Sequence, residues 1–348
     1  MQTKCYFHRV HDQTPTRFWI NNVTEDEARL AIEAGAVGCT QNPSYAWKMM
    51  QAVPDQVFPL LDAILAGEPD DNEALIKLQK QLIERIAAIF LPLWEASRGR
   101  QGHVTIQGDP FHEKAGNIVR QARFNCENFP NLSPKIPVTQ DGLEAIPTLA
   151  AEGYTLTMTE VMSVQQAMDA CDAWEQATAG LDHLPVAYLA HIPGIFDEYM
   201  QNVVTGQAID IEPDILWQAG VAVSKKVHDL MLQRRTPIHY MAGGARGLHH
   251  FTEIVGASGF VTINWKGTAD QLLEQDPPVV QRFLQPTPTG VIDRLAHKLG
   301  EFRRAYWLKG LGVDEYEHYG PVVLFRTSFE QAWQHALQAV AERRRTIA

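Results

Sequence analysis

A lysine stands where lysine is uncommon. In Ser133-Pro134-Lys135-Ile136-Pro137-Val138-Thr139 it interrupts an apolar, strand-like run bracketed by two prolines. If the ammonium cannot reach water, desolvation lowers its pKa, and a neutral amine at working pH is what nucleophilic attack on a ketone requires. On these few residues alone the commoner case, a strand-end lysine with its head in solvent, stays open. A second group, Met241-Ala242-Gly243-Gly244-Ala245-Arg246-Gly247, sets glycines and an arginine after an apolar run. That combination suits an anion at a helix start, and it equally suits a plain glycine-rich turn. His249 and His250, with His239 nearby, do not read as metal ligands. Adjacent histidines on a helix point in different directions, and no HxxxH or paired-carboxylate spacing accompanies them.

The elements that must position Lys135 read as a parallel sheet wrapped by helices. Eight short apolar runs alternate with helical patterns: Phe18–Asn21, Val37–Thr40, Val104–Gln107, Leu132–Ile136, Thr155–Thr159, Val186–Ala190, Ile238–Ala242 and Phe260–Ile263. Eight such units fit one closed (β/α)8 barrel. The stretch from Pro54 to Trp94 holds no strand candidate and predicts a helical excursion between the second and third strands. Within it Leu75, Leu78, Leu82, Ile86 and Ile89 recur at spacings of three and four, which gives one apolar face, and Asp70, Asp71 and Asn72 are candidate caps. After the eighth strand comes a proline-rich connector, Asp276–Gly290, then further helices. The last of these, Phe329–Arg345, is amphipathic and ends in three arginines that suit a helix C-terminus. The chain is therefore expected to form a single barrel domain over 1–348, with a helical extension from about 289.

The bulk properties exclude several classes. Thirty Lys+Arg against 41 Asp+Glu give a net charge of -11 over 348 residues, which disfavours a nucleic-acid surface. No window approaches the roughly 18 apolar residues of a membrane span, and the first residues lack a signal-peptide core, so a cytoplasmic location is expected. Cys5, Cys39, Cys126 and Cys171 form no CxxC pair, so neither a disulfide framework nor a zinc cage is predicted.

The segment Lys135 to Ile146, in which the lysine precedes a Pro-x-Thr-x-x-Gly run and a helix, resembles the Schiff-base segment of the transaldolases. Ala34 to Ser44, ending in Thr40-Gln41-Asn42-Pro43-Ser44, is similar to that family's strand-two segment, with Gln41 in place of a second Thr. Weaker similarity runs through Val104–Asp109, Thr159–Ala167, Leu189–Asp197 and Met241–Arg246, so it covers most of residues 17 to 265. The resemblance implies class I aldolase chemistry without metal or other cofactor. Lys135 would form an iminium with a sugar or sugar phosphate, Thr159 would position a water or a donor hydroxyl, and Asn42, Thr157, Gly244 and Arg246 would bind substrate. A homo-oligomer is left open.

The departures from the family pattern carry information too. Asn21 stands where the resemblance expects a proton-moving Asp, and an amide cannot take that proton. Gln107 replaces a Glu, as in the fructose-6-phosphate aldolase branch. On strand six His191 falls on the family's aromatic position, where an imidazole could supply the missing acid/base function, and Gly194 falls on one of two phosphate-binding arginines. The leading expectation is transfer of a three-carbon dihydroxyacetone unit from a ketose to an aldehyde. The alternatives are an aldolase that releases free dihydroxyacetone or acts on an atypical sugar, and, from another class, a non-catalytic sugar- or partner-binding barrel.

Overall fold

The computed structural model describes residues 4–347. Eight parallel strands close into a barrel in sequence order: β1 (Arg17–Asn21), β2 (Cys39–Thr40), β3 (Val104–Gln107), β4 (Leu132–Pro137), β5 (Leu156–Val161), β6 (Ala187–His191), β7 (His239–Ala242) and β8 (Gly259–Asn264). All eight expected strands are present, which bears out the (β/α)8 reading. Their ends differ from the expected ones by up to two residues.

Strand alternation decides which side chains enter the barrel. At the bottom, Trp19, Tyr188 and Phe260 meet edge to face with ring centroids 5.0–5.6 Å apart, and the Tyr188 hydroxyl lies 2.8 Å from Nδ1 of His103. His239 packs on the same cluster, tilted to Tyr188 and edge-on to Phe260. This aromatic plug fills the lower interior, so the polar residues gather at the C-terminal ends of the strands, where barrels of this kind place their sites. One row of register partners, Gln107, Lys135 and Thr157, crosses β3, β4 and β5 at that level.

The helical excursion is present as Tyr45–Ala52, Pro54–Leu65 and Asp71–Ser97. The Asp70 carboxylate caps the last of these, accepting from the Glu73 N–H at 2.8 Å. The C-terminal helix runs from Gly320 to Ile347 and packs against these helices. Two of the three terminal arginines do more than face a helix dipole. Arg343 makes a bidentate pair with Asp62 at 2.6 Å, and Arg344 reaches Asp71 at 2.6 Å. The Trp333 indole donates to Asn72 at 2.9 Å. These contacts fix the C-terminal helix so that its N-terminal half crosses the barrel mouth. Among the described residues, no helix is long and apolar enough to cross a membrane.

Candidate active site

A cavity of about 400 Å³ opens at the C-terminal end of the barrel, and Lys135 lies on its wall. Lys135 comes from β4, where Pro134 and Ile136 point to the other face and leave the lysine inward. It is 8% exposed and makes no hydrogen bond or ion pair among the described residues. The rings of Phe325 and Phe329 on the C-terminal helix stand 6.0 and 5.9 Å from its Nζ. At that distance their main effect is to exclude water. Burial pulls the ammonium down to about 8, with the charge of Glu160 partly opposing.

Asn21, Asn42, Gly244 and Arg246 also line this cavity. Asn21 is held between Asn264, to which its amide donates at 2.8 Å, and Thr40, whose hydroxyl donates to it at 2.8 Å. Asn22 adopts φ +47°, a left-handed conformation that asparagine tolerates, and its amide donates to Asn42 at 3.1 Å. Asn22 thereby joins the wall beside Asn21. Arg246 is less free than its motif suggests. Its guanidinium pairs with Glu198 and approaches the carbonyls of Gly244 and Ala245 at 3.5 and 3.4 Å.

Gln107, Thr157 and Thr159 do not reach the cavity wall; they are buried in the interior beside the lysine. The Thr157 hydroxyl is taken up by Ser133 at 2.9 Å. Gln107 is engaged by acids. Its amide donates to Glu160 at 3.0 Å and to Glu113 at 3.4 Å, and Arg326 of the C-terminal helix lies 3.6 Å from Glu113. Burial raises the pKa of both carboxyls, Glu160 adds to the rise in Glu113, and Arg326 opposes it in both. Burial of two neighbouring carboxyls favours the proton-holding form, and the nearby cations Arg326 and Lys135 work against it at Glu160. Gln107 Oε1, Thr159 Oγ1 and Glu160 Oε2 are buried without a protein partner, a set of polar atoms able to hold a water.

Glu160 was not anticipated from the sequence because period-two alternation turns the residue after Thr159 outward. The strand breaks that rule. The β5–β6 register shifts between Met158 and Val161, and Glu160 sits at φ +59°, so a bulge brings its carboxylate to Gln107. Phe325, Arg326 and Phe329 were missed as well, since amphipathic periodicity announces a buried face but not what that face covers.

One strand-six expectation, the acid/base role of His191, is corrected. Tyr188 and Ala190 point into the barrel, and Ala190 and Ile192 line the cavity, so His191 faces the helices instead. Its Nδ1 lies 2.8 Å from the Ser224 hydroxyl on the helix Ala219–Arg234, and burial lowers its pKa to about 3. A neutral imidazole behind the sheet cannot exchange protons with a substrate in the cavity. Gly194 holds no cation for a steric reason as well: a Cβ there would lie 2.0 Å from the carbonyl oxygen of Gly244.

Asp197, His249 and His250 bring ligand-type atoms within 4.8 Å of one another. Two of the three, Asp197 and His250, already have partners. The Arg246 N–H donates to Nδ1 of His250 at 3.2 Å, Nε2 of His250 faces Asp197 at 2.9 Å, and Asp197 also accepts from the Gly220 N–H at 2.6 Å. The His250–Asp197 pair thus fastens the Arg246 turn to the helix Pro193–Gly206.

The profile of the Transaldolase/Fructose-6-phosphate aldolase family matches residues 18–281. The chain belongs to this family. It is an enzyme of transaldolase type. A transaldolase of Thiobacillus denitrificans is 24% identical over 329 residues, covering 85% of this chain and 88% of that protein. Transaldolases of Mycobacterium bovis and Mycobacterium tuberculosis are 28% identical over 224 residues, 59% of this chain and 58% of theirs.

Proposed function

We propose that Lys135 forms a Schiff base with the C2 carbonyl of a ketose and that the enzyme transfers the resulting three-carbon unit to an aldehyde. The observation that carries this reading is the lysine itself, buried without an ion pair among the described residues and held near pKa 8 by its surroundings. The neutral amine adds to C2 and water leaves, giving an iminium. The C4 hydroxyl gives up its proton, the C3–C4 bond breaks, and its electron pair passes into the iminium to form an enamine while an aldehyde departs. The enamine carbon then attacks the acceptor aldehyde, and hydrolysis restores Lys135.

Proton movement is assigned to the Gln107–Glu160–Glu113 group. Asn21 cannot take a proton and His191 faces away, whereas Glu160 is the carboxyl whose charge reaches Lys135. A water held by Glu160, Thr159 and Gln107 would serve both imine formation and hydrolysis. Asn21, Asn42 and Asn264 offer amides for the substrate hydroxyls. The second reading is an aldolase that releases free dihydroxyacetone. It is favoured by Gln107, which resembles the aldolase branch.

The two readings separate in one assay. With fructose 6-phosphate as donor, glyceraldehyde 3-phosphate is followed with and without an added aldose phosphate. Transfer predicts sustained turnover only with the acceptor; release of dihydroxyacetone at an equal rate without it selects the aldolase reading.

A further inference from the structure

We propose that Lys48 and Lys266 form an anion-binding subsite for the far end of the ketose, in place of the arginines after strands six and seven. The proposal rests on the reading that Lys135 holds the ketose at C2.

The cavity wall carries four cations, Lys48, Lys135, Arg246 and Lys266, and no carboxylate among the described residues that line it. In a chain of net charge -11 this is a local inversion of sign, and it selects an anionic ligand. The four are not equally available. Lys135 is the nucleophile, and Arg246 is paired with Glu198 and its own turn's carbonyls. The strand-six side offers Ala190, Ile192 and a glycine at 194 that tolerates no side chain. The cavity side walled by β6 and β7 is therefore poor in free positive charge.

Lys48 and Lys266 are differently placed. Lys48 rises from the helix after β2, half-buried, and its ammonium donates to the carbonyl of Asn22. Lys266 follows β8, and β8 lies opposite β4 in the closed barrel, so it faces Lys135 across the mouth. Neither forms an ion pair among the described residues. The carboxylate whose charge reaches Lys48 and partly holds its pKa up, Glu27, is engaged in a capping box, accepting from the Thr24 N–H at 3.0 Å. Burial lowers the Lys48 pKa, and the charge of Lys266 lowers it further. Two like charges facing one cavity repel until an anion settles between them, and that relief favours binding. The amides of Asn22 and Asn264 and the hydroxyl of Ser44 share the same stretch of wall. The ligand this geometry takes is an open-chain ketose with a terminal phosphate, or another tetrahedral oxyanion, stretched from Lys135 toward β8.

The test titrates inorganic phosphate calorimetrically into the wild type, Lys266→Met, Lys48→Met, Lys48→Arg and Arg246→Met, and measures the preference in kcat/KM for phosphorylated over unphosphorylated fructose in each. Each Met variant is expected to weaken phosphate binding and to reduce that preference roughly 10-fold or more, with Lys48→Arg recovering most of the loss. Lys266 is exposed, so its variant speaks even if Lys48→Met disturbs the Asn22 turn. Phosphate binding unchanged in Lys266→Met and Lys48→Met, or lost only in Arg246→Met, overturns the subsite. Phosphate titration needs no turnover, so the two ideas fail separately. Lysine-dependent phosphate binding without a covalent adduct at Lys135 removes the Schiff base and keeps the subsite, whereas an adduct with lysine-independent phosphate binding does the reverse.

Discussion

The side-chain amide of Gln107 donates to Glu160 at 3.0 Å, across a bulge that turns a glutamate of β5 into the barrel. A glutamine that replaces an acid on one strand is thus paired with an acid from another. If Glu160 manages the proton, Glu160→Gln lowers kcat roughly 10²–10⁴-fold while Lys135 still traps a ketone. A variant with near-normal kcat would remove Glu160 from proton transfer.

The nucleophile must be neutral, which fixes the sign of the pH dependence. Lys135 loses its proton as pH rises through about 8, so kcat/KM should climb roughly tenfold per pH unit below that value and level off above it. A profile flat from pH 6 to 9 would show that the buried amine does not limit the reaction.

Phe325 and Phe329 keep the amine dry from a helix that lies outside the barrel's own repeat. Phe329→Ala should admit water and return the lysine pKa toward its ordinary value. The acid limb then moves to higher pH by about one unit, and activity at pH 7 falls roughly tenfold. Activity that recovers at high pH distinguishes this effect from misfolding.

His191 faces the helix Ala219–Arg234 and not the substrate. His191→Asn, which keeps a polar group near Ser224, is expected to cost about 1 kcal/mol of stability and to leave kcat within a small factor of normal. A thermal melt and a rate measurement check both parts, and a loss of roughly 10²-fold or more in kcat with an intact melt would return His191 to the mechanism.

The contact between Gly194 and Gly244 leaves no room for a methyl group, since a Cβ at 194 falls on the Gly244 carbonyl oxygen. Gly194→Ala should therefore destabilise the protein by about 1–3 kcal/mol, measured by chemical denaturation, because the helix start and the Arg246 turn must separate.

The barrel was legible because eight buried parallel strands each announce themselves as a short apolar run, and Lys135 because a charge interrupts one of them. The same burial hid the facing of β6. In Ala187-Tyr188-Leu189-Ala190-His191 both faces are covered, so no polar alternation tells which residues enter the barrel. Glu160 was hidden by a left-handed backbone at a non-glycine residue, which no pattern signals. The cover over Lys135 depends on Arg343 and Arg344 meeting acids roughly 270–280 residues earlier, a pairing that one-dimensional periodicity does not contain. Lys48 and Lys266 became conspicuous only when the cavity wall proved empty of acids.

The central claim is that Lys135 is the covalent nucleophile. Incubation with fructose 6-phosphate or dihydroxyacetone, followed by borohydride reduction and peptide mass analysis, tests it directly. The account predicts a stable three-carbon adduct on the peptide containing Lys135, absent from Lys135→Arg. An unmodified Lys135 peptide after reduction with every ketose tried, in protein that is folded and turning over substrate, would contradict it.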